Sequence, residues 1–502
     1  MASPTLSIGS RWREVALVGG LLAVFVGLWA RGASQDLWYG EQFIRTLAER
    51  PLSETVELLK FENNPPFIFL VAEWWEVVAG SREWMLRLMS LVPSMVSIVV
   101  LYGFVRTAFG QPAARVAAAL SSVAGLLVMQ ALELRMYPWV LLWTTLAIYY
   151  AYQYLSRPSV RPLLALTVVS VLGLYTHYTF GLVFAWSTVL LLWRAMENRR
   201  AVVIYAVAVI ALFLPWALYS LVPIVQNWQT SLGVQQNPSV VASLLFPIHV
   251  LIPPLFKQPT WFTLVQTGAG LVVGLAWLQV LRLIVKRQSI GMTIPLAWLL
   301  SFIVSGLLAL SLVGFTDVKY ATVLAPALIT VVAVGLAQMP IAASRVVLAA
   351  CLFVGVVAAN YMQAQTPVVN YRPATALVER EGRSGDVVLV HPFNDDIVVR
   401  NYYRGPLPVY GFLPDRPPGE ATLEDNVRRN FRVQVDVTNV SQLSEYVKDA
   451  SRVWFFYDVT IEPGYWNGHL IDAWFADQGY RQTVYRDIFK DVPPLLIRYD
   501  AT

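Results

Sequence analysis

Long apolar runs follow one another from Met1 to about Met362, and this pattern restricts the fold more than any other feature of the sequence. Charged residues make up only 14% of the chain, whereas soluble proteins carry about 25%. Runs of roughly 20 apolar residues match the thickness of a bilayer core. The sequence therefore predicts a polytopic α-helical membrane protein. From residue 363 to 502 the composition is that of a soluble protein, which predicts a separate C-terminal domain.

The apolar runs predict about eleven transmembrane helices. These spans are residues 14–31, 84–106, 112–131, 138–156, 161–176, 178–194, 201–222, 261–284, 291–314, 320–339 and 343–362. A shorter apolar stretch, 67–78, is interrupted by Glu73 and Glu76. We expect this stretch to form a helix that lies along the outer interface of the membrane.

Basic residues mark alternate connections between the predicted spans. They are Arg11, Arg13, Arg106, Arg115, Arg157, Arg161, Arg194, Arg199, Arg200, Arg282, Lys286, Arg287 and Arg345. Because Lys and Arg concentrate in cytoplasmic loops, the pattern predicts a cytoplasmic N-terminus and an extracytoplasmic C-terminal domain in a cell membrane. The formal net charge of +5 is too small and scattered to indicate nucleic-acid binding.

Ionisable side chains collect in the connections on the opposite, outer side. Asp36 and Glu41 lie in a first outer loop, 32–83, and Glu133 and Arg135, then His177, then Asp317 and Lys319 lie in later ones. Charges near a membrane are usually functional or paired, so this set predicts a site at the outer leaflet. Alternatively, Glu133 and Arg135 are solvated helix caps, His177 bonds a backbone carbonyl, and Lys319 reaches to lipid headgroups.

A second long outer loop, 223–260, is too long for a simple connector. Its amide and aromatic groups suit either sugar recognition or an interfacial cover. They are Trp228, Gln229, Gln235, Gln236, Asn237, His249, Pro253 and Pro254.

Six motifs occur in a fixed order along the membrane part. They are Asp36-Leu37-Trp38-Tyr39-Gly40-Glu41, Asn63-Asn64-Pro65-Pro66-Phe67, Arg87-Leu88, Glu133-Leu134-Arg135-Met136-Tyr137, Leu174-Tyr175-Thr176-His177-Tyr178 and Lys319-Tyr320. Their order and sidedness resemble the GT-C superfamily of membrane glycosyltransferases. The resemblance is greatest to the protein-mannosyltransferase-like group, glycosyltransferase family 39, which includes relatives of the aminoarabinose transferase of lipid A. It covers nearly all of residues 14–362.

The resemblance implies a reaction in which a sugar moves from a polyprenyl-phosphate carrier to an extracytoplasmic acceptor. An acidic residue of the first loop then serves as general base, and Glu41 and Asp36 are the candidates. Polar residues of the outer loops bind the substrates, namely Glu62, Asn63, Asn64, Glu133, Arg135, Tyr137, His177, Tyr178, Lys319 and Tyr320. A single displacement inverts the anomeric centre. Glu41 and Asp36 with His177 could hold a divalent ion, but no tight metal-ligand spacing supports one, so we expect no cofactor.

The sequence departs from the family at three positions. Gly40 stands where an aspartate is expected, Asn63-Asn64 where histidine or another polar residue is common, and Lys319 where arginine is expected. Either Glu41 or Asp36 replaces the aspartate, or the chain is a non-catalytic relative that binds polyprenyl phosphate or scaffolds other proteins. A transporter is less favoured, because the polar groups lie at the outer ends rather than at the midplane and no repeat is evident.

The C-terminal segment alternates helical and strand-like patterns. Helices are expected near 375–381, 395–403, 440–449 and 470–478, and strands near 386–391, 408–412, 452–457, 480–485 and 495–499. This alternation predicts an α/β domain with a mostly parallel sheet. Asp395-Asp396 and Tyr402-Tyr403 either touch an acceptor or form a solvated helix face, which we favour. No glycine-rich phosphate motif opens a helix, so the sequence gives no indication of a nucleotide site.

Overall fold

The computed structural model describes two parts, a helical membrane part and a smaller sheet domain that follows it. The residues it describes are 8–62, 64–231, 248–252, 260–286, 290–313, 318–365, 371–429, 435–448, 450–457, 468–485 and 495–501. The predicted fold class, a polytopic helical protein with a C-terminal α/β domain, is confirmed. The boundary at residue 362 stays a prediction.

Each predicted span falls on a helix or on two helical segments in succession. The long helices of the membrane part are α1 (Ile8–Ala30), α5 (Glu83–Phe109), α6 (Gln111–Val123), α7 (Gly125–Ala131), α8 (Tyr137–Ser156), α9 (Val160–Thr176), α10 (Phe180–Arg194), α11 (Arg199–Ser231), α12 (Thr260–Lys286), α13 (Ile290–Val313), α14 (Ala325–Ala337) and α15 (Ile341–Gln365). A 3₁₀ turn, Val318–Leu324, leads into α14. The apolar runs therefore located the helices well.

Helix length and composition identify fewer membrane crossings than the sequence predicts. Five described helices are long and apolar enough to cross a bilayer, and α6 with α7 makes a sixth as a pair bent by 54°. Four further apolar helical stretches are shorter. Leu264 and Leu271 on α12 are 67% and 66% exposed, which suits contact with lipid. Eleven crossings stay a prediction.

The first outer loop folds into three short helices, α2 (Tyr39–Ala48), α3 (Leu52–Leu59) and α4 (Phe67–Ala79). The amphipathic α2 buries Phe43, Ile44 and Leu47 against α4 and the C-terminal domain. The predicted interfacial helix is α4, and its Val77 is 84% exposed. Such an exposed apolar residue fits a helix that lies in the membrane interface.

The C-terminal domain has one sheet of five strands in the order β2-β1-β3-β5-β4. The strands are β1 (Asp386–His391), β2 (Val409–Gly411), β3 (Arg452–Tyr457), β4 (Arg481–Tyr485) and β5 (Leu495–Asp500). The helices are α16 (Tyr371–Glu381), α17 (Asp396–Tyr402), α18 (Leu423–Arg429), α19 (Leu443–Val447) and α20 (Gly468–Asp477).

The expectation of a mostly parallel sheet is wrong for half of the strand pairs. Strand β1 runs parallel to β2 and β3, but β5 runs antiparallel to both β3 and β4. Consecutive antiparallel strands need no helical crossover, and the chain passes from β4 to its neighbour β5 without a described helix between them. The alternation of helices and strands ends before β4 and β5. The expectation of a mostly parallel sheet extended the alternation to this pair as well.

The C-terminal domain rests on the first outer loop. The backbone N–H of Leu37 donates to the Tyr402 hydroxyl at 2.7 Å, and Arg45 Nη1 donates to Asn401 Oδ1 at 2.9 Å. Apolar residues of α2, α4, α16 and β1 share one core cluster. The segment after β1 reaches Tyr39 of the loop through Asn394. The carboxyl end of β1 is therefore directed towards the first outer loop.

Candidate functional site

Glu41, a predicted catalytic residue, lies in a buried ion pair with Arg87 at the start of α5. Its carboxylate is fully buried; Oε1 accepts from Arg87 Nε at 2.9 Å and Oε2 from Arg87 Nη2 at 2.7 Å. Oε1 also accepts the backbone N–H of Leu134 at 2.8 Å, and Oε2 that of Trp38 at 3.3 Å. Four donors thus engage one carboxylate.

Arg87 uses its remaining N–H groups on the backbone before α2. Nη1 donates to the carbonyls of Gly32, Ala33 and Gln35 at 3.3, 3.0 and 2.7 Å, and Nη2 to that of Asp36 at 3.2 Å. A bidentate, charge-assisted pair of this kind fixes geometry strongly. The contacts favour a structural role for Glu41, so its assignment as base stays a prediction that the geometry does not support.

Asp36, the second predicted base, pairs with the C-terminal domain. Oδ2 accepts the backbone N–H of Arg372 at 2.9 Å, and Oδ1 lies 2.7 Å from Arg372 Nη1. Arg372 also pairs with Glu83. Burial raises the pKa of Asp36, although Arg372 opposes the shift. These contacts favour a role in docking the domain.

Gly40, at the position of the expected aspartate, has no room for a side chain. An ideal Cβ there would lie 2.5 Å from the Trp38 ring and 2.8 Å from Arg135 Nη1. The Arg135 guanidinium stacks over Trp38, with 5.5 Å between its Cζ and the ring centroid, and Nη1 donates to the Gly40 carbonyl at 3.0 Å. Trp38 and Arg135 therefore occupy the space that an aspartate side chain would need.

Residues from three predicted outer loops meet beside Arg135. The rings of Tyr137 and His177 are 5.6 Å apart, His177 and Tyr320 are 6.0 Å apart, and Lys319 Nζ lies 5.3 Å from the Tyr320 ring. We call Arg135, Tyr137, His177, Lys319 and Tyr320 the outer cluster. The structure thus brings together five of the residues that the sequence reading proposed for substrate binding.

His177 is a neutral hydrogen-bonding group rather than a cation. Its side chain is buried, and burial, followed by the charges of Arg135 and Lys319, lowers its pKa to about 3. The backbone N–H of Thr179 donates to His177 Nδ1 at 3.1 Å, which places the ring proton on Nε2. The ring therefore carries no positive charge to a bound phosphate. It supplies an N–H donor instead.

Glu62 and Tyr178 lie at the rim of the outer cluster. Asn64 Nδ2 donates to Glu62 Oε1 at 2.6 Å, and Tyr178 accepts a hydrogen bond from Trp216 Nε1 at 3.2 Å. Burial raises the pKa of Tyr178, and the negative charge of Glu62 adds to the shift. Asn63, from the same motif, lies outside the described residues.

Glu133 lies near both Arg87 and Arg135. Its charge acts on both Arg87 and Arg135, and its backbone carbonyl accepts from Ser90 Oγ at 2.6 Å. It is half-buried, which argues against a simple solvated cap.

Parts of the predicted site fall outside the described residues. These are Asp317, Gln235, Gln236, Asn237, Pro253 and Pro254, and the side chains of Trp228 and Gln229. His249 is described and half-buried. Among the described residues, no group of three or more His, Cys, Asp or Glu side chains could hold a metal ion.

Sequence reasoning missed the partners of the two acids and the contribution of the C-terminal domain. Arg87 carried a usable signal, because a charge at the start of a predicted span needs a partner. Asp395 and Asp396 are only 4% and 7% exposed, so the solvated helix face expected there is wrong. Asp395 lies close enough to Tyr39 for its charge to act on that hydroxyl.

Comparisons with known proteins agree with this architecture. Residues 63–219 match a family described as dolichyl-phosphate-mannose-protein mannosyltransferase. A comparison with curated proteins returned no match. Among solved structures, ArnT from Cupriavidus metallidurans in the apo state is 14% identical with a TM-score of 0.56, and the alignment covers 99% of each chain.

Two other solved structures share the fold. ArnT from Cupriavidus metallidurans bound to undecaprenyl phosphate is 14% identical, with a TM-score of 0.56 over 97% of this chain and 98% of that one. The oligosaccharyltransferase of Archaeoglobus fulgidus is 12% identical, with a TM-score of 0.52 over 97% of this chain and 73% of that one. The chain therefore shares the fold of ArnT and of the archaeal oligosaccharyltransferase, as the order of its motifs predicts.

Proposed function

We propose that this protein is a membrane glycosyltransferase that moves a sugar from a polyprenyl-phosphate donor to a hydroxyl of an extracytoplasmic protein, lipid or glycan, with inversion. The observation that carries the proposal is the outer cluster, where two cations, a neutral imidazole and two phenols meet beside the first outer loop. A neighbour of the same fold, ArnT, has been solved with undecaprenyl phosphate bound.

The chemistry of the donor explains this set of residues. When the sugar leaves, the polyprenyl phosphate gains negative charge, and fixed donors aimed at that charge lower the barrier. Arg135 and Lys319 supply positive charge, and His177 Nε2 with the Tyr137 and Tyr320 hydroxyls supplies neutral donors. Because His177 is neutral, it can bind a phosphate oxygen across the physiological pH range without a change of charge.

The proposed orientation places this chemistry on the outer face of a cell membrane. The basic inner connections favour a cytoplasmic N-terminus, and the outer cluster then lies beneath an extracytoplasmic domain. Exposed apolar faces, such as that of α12, would contact lipid and allow a polyprenyl tail to reach the cluster from the bilayer.

Binding of undecaprenyl phosphate to the purified protein tests the proposal. We expect Arg135→Gln to weaken binding about 10- to 100-fold, the value of a lost hydrogen bond to a charged group. Arg82→Gln is the matched control, because Arg82 is an exposed arginine near the same face and should bind as the wild type does. Equal affinity of both variants would remove Arg135 from the site, and absence of wild-type binding would refute the lipid-phosphate donor.

A second candidate function is a non-catalytic protein that binds polyprenyl phosphate or scaffolds other envelope proteins. The crowded Gly40 and the engaged carboxylates of Asp36 and Glu41 favour it. Labelled undecaprenyl-phosphate hexoses and pentoses, incubated with the protein and host envelope material, separate the two. Release of undecaprenyl phosphate coupled to labelled product supports the transferase, whereas binding without release supports the second function.

A further inference from the structure

We infer that Glu62 is the general base that takes the acceptor proton in this protein, replacing the acid that is missing at position 40. The inference rests on the proposed transferase function and deepens it. Its evidence is the arrangement of carboxylates around the outer cluster in the part of the chain that the structure describes.

The two acids beside position 40, Glu41 and Asp36, are already engaged in contacts that hold the structure together. The fully buried Glu41 carboxylate accepts hydrogen bonds from Nε and Nη2 of Arg87 and from two backbone N–H groups, at 2.7 to 3.3 Å. Asp36 accepts a hydrogen bond from the backbone N–H of Arg372 and forms an ion pair with its guanidinium. An acid at position 40 would collide with Trp38 and Arg135. A base must have an oxygen within reach of the substrate hydroxyl, and these positions do not provide one without breaking the buried contacts.

Glu62 lies close enough to Arg135 for its charge to act on the guanidinium. Its charge acts on Arg135 and on the hydroxyls of Tyr39 and Tyr178, which belong to three separate segments around the outer cluster. The side chain is half-buried, so an acceptor can approach it from the solvent side. Glu62 is thus half-buried and near Arg135, one of the proposed phosphate ligands.

Asn64 holds Glu62 in this position. Its amide donates to Glu62 Oε1 at 2.6 Å, and Pro65 and Pro66 follow before α4 begins. Proline restricts the backbone of the residue before it, so the Asn64-Pro65-Pro66 segment limits the motion of this loop. A catalytic carboxylate needs such support from neighbouring groups.

The reaction step balances with these groups. The acceptor oxygen forms a bond to the anomeric carbon while the bond from that carbon to the phosphate oxygen breaks. The electron pair of the broken bond leaves with the polyprenyl phosphate, whose charge Arg135 and Lys319 stabilise. The acceptor proton passes to the Glu62 carboxylate and then to water.

Glu62→Gln is the central variant, because it keeps the size of the side chain and cannot accept the proton. Movement of label from undecaprenyl-phosphate hexoses and pentoses into host envelope material measures transfer, and binding of undecaprenyl phosphate measures the donor site. We expect transfer to fall about 10²- to 10⁴-fold, the usual value of general base catalysis, with donor affinity within about threefold of the wild type. Glu62→Asp should recover part of the activity.

Two further variants make the result specific. Glu54→Gln is the matched control, because Glu54 is an exposed acid of the same loop that pairs with Arg50, and it should leave transfer unchanged. Asp395→Asn tests the acid that the C-terminal domain directs towards Tyr39. Full transfer by Glu62→Gln, or loss of transfer only in Asp395→Asn, overturns the inference while the transferase function stands. Absence of transfer by the wild type refutes the proposed function itself.

Discussion

Two neighbouring groups of charged residues beside the first outer loop differ in how their charges are balanced. In the first, which we call the latch, Asp36 and Glu41 meet Arg372 and Arg87 as opposite charges 2.7 Å apart. In the outer cluster, Arg135 and Lys319 accompany a neutral imidazole and two phenols, and the charges of Glu133 and Glu62 act on Arg135. The difference indicates that the latch holds the first loop in place, whereas the outer cluster is suited to receive an anion.

This comparison also explains why the sequence was misleading about the base. Both candidates for the base, Asp36 and Glu41, follow the first span, and their position in the sequence does not reveal which arginine each one pairs with. Glu41 and Arg87 are separated by 46 residues, and Asp36 and Arg372 by 336. Pairings over such distances depend on the tertiary fold, and residue types and spacing do not determine them.

The largest expected effect comes from breaking the latch at its buried pair. Arg87→Met leaves the Glu41 carboxylate buried without its partner, which typically costs about 3–5 kcal/mol of stability. Thermal unfolding of the detergent-solubilised protein, followed by tryptophan fluorescence, measures the loss.

The double variant Arg87→Met with Glu41→Leu is the control for this prediction. It removes both charges, so the cost of the unpaired carboxylate should be recovered, whereas the backbone groups that Glu41 and Arg87 bond still lose their partners. If Glu41→Gln instead leaves the unfolding temperature unchanged and abolishes transfer, Glu41 belongs to the catalytic site and the contrast between the latch and the outer cluster is wrong.

The fold was far more predictable than the site. Helix positions followed from apolar length alone; the run 343–362, for instance, lies within α15. The role of His177 was not accessible, because its neutrality depends on burial and on the charges of Arg135 and Lys319, which come from other loops. Antiparallel β5 was missed for a similar reason, since strand direction depends on pairing rather than on residue pattern.

A smaller effect is expected when the family aspartate is restored. Gly40→Asp forces a side chain into the contact between Trp38 and Arg135, and overpacking of this kind costs about 1–3 kcal/mol. We expect a lower unfolding temperature and no gain in transfer. Gly40→Ala is the matched control, because it adds the Cβ without a charge and should account for most of the lost stability.

A gain in transfer by Gly40→Asp would contradict the steric argument. It would show that Trp38 and Arg135 can move aside, and that the position retains the geometry of a catalytic acid. Undecaprenyl phosphate binding by the same variant decides whether Arg135 has moved, since a displaced guanidinium should weaken donor affinity.

The smallest expected effect lies at the solvent-exposed side of the latch. The Arg372 side chain is 49% exposed, and exposed ion pairs contribute about 1 kcal/mol or less, so Arg372→Gln should lower the unfolding temperature only slightly near neutral pH. The pH dependence is more informative. Burial raises the pKa of Asp36 above its ordinary value of 3.8, so the folded protein binds this proton more tightly than the unfolded chain does. The stability of the protein therefore falls as the pH rises from 3.8 to the raised pKa of Asp36.

Arg372 opposes this shift, because its positive charge favours the ionised carboxylate. Arg372→Gln should therefore raise the pKa of Asp36 further and extend the loss of stability to higher pH. Unfolding temperatures of the wild type and the variant, measured from about pH 4 to about pH 7, should diverge as the pH rises. Asp36→Asn, introduced into both proteins, removes the titrating group. The two plots of unfolding temperature against pH should then run parallel. Profiles that are already parallel without it would show that Asp36 does not titrate against Arg372, and that the latch depends on Glu41 and Arg87 alone.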